Sequence, residues 1–174
     1  MATPAELYQR PVDAFVADFV GTIHAFDVVS VSTSESDINK PLTVTTNELG
    51  ELVCPVSIAA DSIPIDRGLS QLAGKSVLAV RPEHIELHLE APHDNTAINQ
   101  SSHDQAQLMG RLGDIAFQGQ HSIVEVMLDG RDSLTAIVSN TVAQTLHQSG
   151  HGSPIWASWS TANMLLLPNH ALPA

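Results

Sequence analysis

The chain has 174 residues, with 7 lysines and arginines against 19 aspartates and glutamates, and a formal net charge of −12. That length suits one domain or two small lobes. The acidic excess argues against nucleic acid and against an anionic membrane surface as partners, because both are bound through clusters of lysine and arginine. A single cysteine, Cys54, excludes an intrachain disulfide and a zinc site built from several cysteines.

Two short helices are predicted within the first 21 residues. Thr3 and Glu6 have the spacing of a capping box, in which each side chain accepts a hydrogen bond from the backbone of the other residue. Over Val12–Val20 the apolar residues recur at helical spacing, which predicts a second helix with Phe15 and Phe19 on one face.

Beyond residue 21 the apolar period changes to two, which is typical of strands. We expect about nine short strands, with hairpins around Gly50 and around Asp129–Gly130, and one or two helical turns over Thr141–His147. Many short strands with closely spaced turns favour a mainly β fold, a small barrel or a sandwich.

A faint internal repeat relates Val80–Leu87 to Trp159–Leu166, each an apolar strand, a short break and a second apolar strand. Two related β lobes would explain it. We therefore predict lobes over about 22–90 and 108–168, joined by a polar loop over 91–107, which is rich in the residues of surface loops.

Catalytic and metal-binding motifs were sought and not found in this sequence. It contains neither a phosphate-binding glycine loop nor a nucleophile elbow. His84 and His88 would share one face of a strand, but about 13 Å apart at about 3.3 Å per residue, too far for one ion. We predict no metal site and no catalytic residue, and we interpret Cys54 as a small buried apolar residue. No apolar run approaches the roughly 18 residues of a membrane-spanning helix.

Three segments together resemble a known family. The first is Thr3–Pro11 followed by Phe15–Gly21, the second is Val80–Leu87 with its Arg-Pro-Glu triplet, and the third is Gly110–Gly119 with the later strands to Leu167. Their order and spacing are similar to the transport-associated OB (TOBE) regulatory domain at the C-terminus of ATP-binding subunits of ABC importers, especially those of polyamine, iron and anion type.

The resemblance implies a mainly β fold of OB-like small barrel lobes preceded by two short helices. Residues 1–21 would be the helical segment that follows the nucleotide-binding domain, and 22–170 the OB-like regulatory domain. The Walker A, signature and Walker B motifs are absent from this sequence, so the fragment is expected to be non-catalytic. ATP and Mg would bind the absent domain, no cofactor is expected here, and the full-length subunit would be a transport ATPase.

The resemblance also implies partners. We expect a homodimer that contacts the ATPase domain and, through it, membrane permease subunits, in the cytoplasm at the inner membrane. A small-molecule effector belongs to the same expectation, whereas nucleic acid does not. The Phe15/Phe19 face would pack on the barrel or on the ATPase domain. The alternative function is a module that binds a small oxyanion or polyamine.

Four residues are candidates for ligand or interface contacts: Arg81, Glu83, Asp114 and Gly119. Arg81 either takes part in an anion site or dimer contact, or pairs with a nearby carboxylate while the following proline fixes the turn. Asp114 and Gly119 lie in a segment whose glycines are typical of bends in a barrel, so a purely structural role for both is the competing interpretation.

Overall fold

The computed structural model describes residues 3–33, 41–58, 63, 69–92, 104–130 and 133–169. Within them lie three helices, α1 (Pro4–Gln9), α2 (Ala14–Val20) and α3 (Asn140–Ser149). The strands are β1 (His24–Thr33), β2 (Leu42–Thr46), β3 (Gly50–Cys54), β4 (Ser76–Val80), β5 (Glu86–His88), β6 (Gln105–Gln118), β7 (His121–Met127), β8 (Leu134–Ser139), β9 (Pro154–Ser160) and β10 (Met164–Pro168). The mainly β prediction with two N-terminal helices is confirmed.

Local side-chain caps set the ends of the N-terminal helices. The Thr3 hydroxyl accepts from the Glu6 N–H, and the Glu6 carboxylate accepts from the Thr3 N–H at 2.7 Å, which completes the predicted capping box. Helix α2 begins at Ala14, later than the predicted Val12, because the Asp13 carboxylate accepts from the N–H of Val16 and caps the helix there.

Of the two surfaces expected to cover the Phe15/Phe19 face, the barrel does not cover it. The two rings stack on each other with centroids 6.3 Å apart, yet Phe15 is 51% and Phe19 81% exposed. Helix α2 instead meets the core through Ala17, which is fully buried. A small residue lets the helix backbone approach the barrel closely and leaves the aromatic side chains facing outward.

Two five-stranded antiparallel sheets make up the β domain. The first has the strand order β10-β4-β1-β2-β3 and the second β5-β9-β6-β7-β8. The predicted hairpin around Gly50 joins β2 to β3, and Pro55 follows β3 at the edge of its sheet, where the missing proline N–H breaks no ladder.

The sheets exchange strands and so do not coincide with the two predicted lobes. The chain leaves the first sheet after β4, passes through a 3-10 turn (Pro82–His84), and enters the second sheet as β5. It returns after β9 through a second 3-10 turn (Thr161–Asn163) and completes the first sheet as β10. The two related segments of the sequence are therefore these two crossovers, lying side by side with β4 against β10 and β5 against β9.

The polar loop predicted over 91–107 is shorter than expected, because β6 already begins at Gln105. Ala106 is fully buried and Gln107 is 5% exposed, so these residues belong to the barrel wall. Residues 93–103 of that loop lie outside the described part of the chain.

One hydrophobic core joins the two sheets. Phe26 of β1 stacks on Trp159 of β9, with ring centroids 5.9 Å apart, and neither side chain is more than 2% exposed. At the barrel edge the His24 ring nitrogen Nε2 accepts from the backbone N–H of Thr135 at 2.9 Å. This bond satisfies a donor on β8, the edge strand of the second sheet.

Candidate functional site

Arg81 lies where the chain crosses between the sheets, and it holds the N-terminal helices against the barrel. Its side chain is 3% exposed. Nη2 donates to the backbone carbonyl of Tyr8 at 2.9 Å, and Nη1 donates to that of Gly21 at 3.1 Å. The guanidinium also covers the Tyr8 ring, with Cζ 3.8 Å from the ring centroid. One buried cation thus fixes the end of α1 and the residue that follows α2.

Pairing with a carboxylate was one of the two roles expected of Arg81, and among the described residues its hydrogen-bond partners are carbonyls instead. Glu83 accepts a hydrogen bond from the Tyr8 hydroxyl, while the guanidinium takes carbonyl partners. The planar fork of arginine reaches two carbonyls at once, and these would otherwise lack a donor at the helix ends. Arg81 and Glu83 therefore hold Tyr8 from its two ends.

Little space is left for a side chain at Gly21. Its φ of 170° is extended backbone that any residue adopts. However, a Cβ at this position would lie 3.1 Å from both Arg81 Nη1 and Tyr8 Cε2. A side chain would push apart the stacked guanidinium and ring, so glycine permits the closest approach of the three residues.

The environment of Tyr8 raises its pKa above the ordinary tyrosine value of 10.0. Partial burial is the largest cause, and the hydrogen bond to Glu83 and its negative charge add to it, while Arg81 acts in the opposite direction. Folding thus favours the neutral phenol. The stability from this proton is complete below the ordinary pKa of about 10 and is lost as the pH rises through the higher folded value.

Tyr8 is the chain's only tyrosine, so phenolate absorbance reports on it alone. We expect a titration midpoint above 10 in the native protein, and a midpoint nearer the ordinary value in Glu83→Gln, since that variant removes the negative charge beside the hydroxyl. Glu86→Gln, which changes an exposed acid on the next strand, is the matched control and should leave the midpoint in place. Equal midpoints in native protein and Glu83→Gln would contradict the Tyr8–Glu83 contact.

A cleft of about 190 Å³ opens beside this junction. It is lined by Tyr8, Gln9, Arg81, His84 and residues 162–165 of the second crossover. The cleft thus joins the N-terminal helices to both crossovers. Its lining side chains include one guanidinium and one imidazole.

Asp114 and Gly119 lie elsewhere, on the hairpin formed by β6 and β7. Asp114 is exposed beside the register shift between Leu112 and Ile115, where the sequence predicts a bulge. Gly119 has φ +60° in the two-residue turn, and its carbonyl accepts from Asn140 Nδ2 at 2.6 Å. The four candidate residues thus form two separate pairs, and their roles toward a ligand or interface stay predictions.

Sequence analysis missed Tyr8 and Gly21 as parts of the site. Both lie inside the first segment that carries the family resemblance, and Tyr8 is the single tyrosine of the chain. The sequence signal for this contact was the Arg-Pro-Glu triplet together with the single tyrosine. However, Arg81 and Tyr8 lie more than 70 positions apart in sequence.

In the described ranges no group of three His, Cys, Asp or Glu residues is placed to hold a metal ion. No helix there is long and apolar enough to cross a membrane.

Solved structures with this architecture include the cytoplasmic molybdate-binding protein ModG, crystallised with molybdate bound. It superimposes with a TM-score of 0.58 at 17% identity, over 84% of this chain and 95% of that one. At this identity the likeness concerns the fold alone. It supports the OB-like description of the barrel.

Similar sequences include the spermidine/putrescine import ATP-binding proteins PotA. The protein from Nitrosomonas europaea is 23% identical over 95% of this chain, and that from Trichodesmium erythraeum is 27% identical over 96%. A 97-residue stretch is 32% identical to the protein from Treponema pallidum. The chain spans about two fifths of the length of the first two relatives, 40% and 39%.

The TOBE domain model matches residues 78–167, which run from β4 through both crossovers to β10. This segment contains the Arg-Pro-Glu triplet, the β6–β7 hairpin and strand β10. These are the features, other than the N-terminal helices, that resemble the family. By its sequence match and its barrel, the chain belongs to the TOBE domain family.

Proposed function

We propose that this chain is the regulatory, non-catalytic portion of the ATP-binding subunit of an ABC-type solute importer. Its membership of the TOBE family and its match to about two fifths of each PotA relative support this assignment. ATP and Mg would bind a nucleotide-binding domain outside this sequence. The subunit would work in the cytoplasm at the inner membrane, against the permease subunits.

The observation that carries the proposal is the Arg81 junction. Two carbonyl hydrogen bonds and a ring contact tie the N-terminal helices to the crossover that links both sheets. A movement of those helices would therefore move the barrel with them. Such a rigid connection is what a regulatory domain needs in order to bias the opening and closing of an attached ATPase domain.

The exposed face of α2 supplies the contact with that ATPase domain. Phe15 and Phe19 form a stacked pair that the barrel does not cover. Exposed aromatic pairs of this kind are typical of interaction surfaces. Since residues 1–21 would follow the nucleotide-binding domain directly, this face lies close to the domain that it would cover.

A chimera tests the assignment. In PotA from Nitrosomonas europaea, the portion that this chain matches is replaced by the chain itself, and ATP hydrolysis and spermidine uptake are measured. We expect both activities to be retained, and both to fall when Phe15 and Phe19 are replaced by serine in the chimera. The same double substitution in the isolated chain should leave its unfolding midpoint unchanged, because both rings are exposed. A folded chimera whose ATP hydrolysis and spermidine uptake are unchanged by the double substitution would contradict the proposed contact.

The proposed subunit is a homodimer, and light scattering of the isolated chain over a wide concentration range tests this. A mass near twice 18.5 kDa would show that the barrel carries its own dimer interface. A monomer at every concentration would mean that any pairing depends on the ATPase domains.

A second candidate function, capture of a small oxyanion or polyamine, is favoured by the cleft beside Arg81. The guanidinium of Arg81 in its lining suits an oxyanion, whereas the net charge of −12 suits a polyamine. A thermal-shift series with molybdate, sulfate and spermidine separates the two, because a ligand that binds only the folded state raises the melting temperature. A shift that disappears in His84→Ala would place the ligand in this cleft, and the absence of any shift would remove this candidate.

A further inference from the structure

The hairpin of β6 and β7 extends past the strand that covers its outer edge. Strand β9 pairs with β6 only over Gln105–Arg111. The next residue of β6, Leu112, is hydrogen-bonded to the turn before β9. Leu112 donates to the Ser153 carbonyl at 2.8 Å and accepts from the Gly152 N–H at 2.7 Å. Beyond it, residues 115–118 pair with β7 and, within the part of the chain that the structure describes, with no strand on the other side.

The open edge presents backbone groups at two positions. Leu112 opposes Val126 and turns its N–H and C=O away from β7. In an antiparallel ladder, the N–H and C=O groups of successive residue pairs point alternately toward and away from the neighbouring strand. Ile115 opposes Val124 and Phe117 opposes Ser122. Val124 and Ser122 lie two and four positions before Val126 on β7, so both pairs have the same orientation as the Leu112–Val126 pair. The N–H and C=O of Ile115 and Phe117 therefore point outward, ready to accept another strand.

Past the bulge, which ends before Ile115, the side chains at residues 115–118 carry no charge that would block such pairing. Ala116, Phe117 and Gln118 are exposed, with Phe117 at 54%. Natural edge strands are usually protected by charged side chains, especially lysine, by proline, by bulges or by short length. Residues 114–118 contain no lysine and no proline, and they carry a large aromatic side chain in solvent.

We propose that a second copy of this chain adds its own residues 114–118 to this edge, in an antiparallel pair centred on Ala116. The proposal rests on the homodimer of the proposed function and names its surface. In this register Ile115 of each copy opposes Phe117 of the other. Because those are the positions whose backbone groups point outward, each such pair exchanges two hydrogen bonds, and the two sheets become one continuous sheet across a two-fold axis.

The register is self-complementary in its side chains, and this favours a second copy over a different partner. It places apolar Ile115 opposite apolar Phe117, and it places Asp114 opposite the amide of Gln118. No like charges face each other, although each copy carries a net charge of −12. A partner of unrelated sequence would have to supply this pattern independently, whereas the two-fold axis supplies it from the same five residues.

The hairpin is also held in place for such a contact. Asn140, the first residue of α3, donates to the Gly119 carbonyl at the turn and accepts from the Ser122 hydroxyl at 2.7 Å. The turn is thus fixed to a helix, so pairing costs little additional ordering of the edge.

Cysteine cross-linking tests the register. In the centred pair the two Ala116 residues form a non-hydrogen-bonded pair with Cα atoms about 4.5 Å apart, which lies within the range of a disulfide. Ala116→Cys should therefore give a disulfide-linked dimer under mild oxidation. Asp114→Cys is the matched control, because this exposed position lies about 13 Å from its own copy at about 3.3 Å per residue. The native Cys54 is buried, and desolvation raises the pKa of its thiol to about 12, so it does not compete.

A second variant removes the contact without cross-linking. Phe117→Pro deletes an outward N–H and the aromatic side chain while leaving the β6–β7 ladder bonds in place, and we expect it to be folded by circular dichroism and monomeric by light scattering. A native dimer in which Ala116→Cys cross-links no faster than Asp114→Cys, or in which folded Phe117→Pro stays dimeric, would overturn this surface and leave the homodimer standing. A native chain that is monomeric at all concentrations would overturn this surface and would leave only pairing through the ATPase domains, while the chimera separately decides the importer assignment.

Discussion

Replacing Phe26 by alanine is expected to lower the free energy of unfolding by about 3–5 kcal/mol, the usual cost of removing a large buried aromatic side chain. Phe26 is fully buried on β1 and stacks on Trp159 of β9, so the substitution opens a cavity between the two sheets and removes an aromatic pair. Urea unfolding followed by tryptophan fluorescence and by circular dichroism measures the loss.

Both probes should shift together, because the sheets share one core and should unfold as one unit. Phe26→Leu, which keeps most of the side-chain volume, is the control and should cost clearly less. Two separate transitions in Phe26→Ala would show that the sheets have independent stability, contrary to the shared core.

Replacing Arg81 by alanine is expected to release the N-terminal helices, at a cost of about 2–4 kcal/mol. The variant leaves the carbonyls of Tyr8 and Gly21 without their charged donor and removes the cation from the Tyr8 ring. Cleavage by chymotrypsin at the aromatic residues of α1 and α2 should become at least about tenfold faster, since 1.4 kcal/mol corresponds to a factor of ten in a local opening equilibrium.

Two further variants serve as controls for the faster cleavage expected of Arg81→Ala. Arg81→Lys keeps the charge but has no planar fork for two carbonyls, so it should restore only part of the protection. Arg111→Ala removes an exposed arginine that donates to a single carbonyl, that of Gly152, and should leave cleavage in the helices unchanged. If Arg81→Ala is cleaved no faster than Arg111→Ala, the junction is not what holds the helices.

The parts of the fold that depend on neighbouring residues were predictable. The Thr3–Glu6 capping box acts over three positions, and the hairpin at Gly50 needs only a turn between two alternating segments. The family segments then indicated the OB-like barrel as a whole. For the capping box and the hairpin, the physical cause lies within a few residues of its effect, so the sequence contains it directly.

The exchanged strands and the Arg81 junction depend on contacts between distant positions and were not predictable in the same way. The pairing of β4 with β10 joins residues more than 80 positions apart. The carbonyl partners of Arg81 lie 60 and 73 positions away. A triplet such as Arg-Pro-Glu indicates that a buried arginine has some partner, yet a backbone carbonyl has no sequence signature by which it could be named.

The pattern that predicted α2 illustrates a further limit. Helical spacing placed Phe15 and Phe19 on one face, which is what the structure shows, but spacing alone does not say which face meets the barrel. The close approach permitted by Ala17 decided that question. Hydrophobic periodicity therefore identified the element and left its orientation open, because an apolar face that serves another surface has the same spacing as a core face.

The return of β10 to the first sheet has a consequence for how this protein is made. While the ribosome synthesises the chain from its N-terminus, β4 can pair with β1 on one side but has no neighbour on the other until residues 164–168 emerge. An apolar strand, buried along its whole length in the finished protein, thus has an open edge until residues 164–168 have been synthesised. The first sheet is complete only after β10 has been synthesised, so a nascent chain stalled before β10 exposes an apolar edge that chaperones can bind.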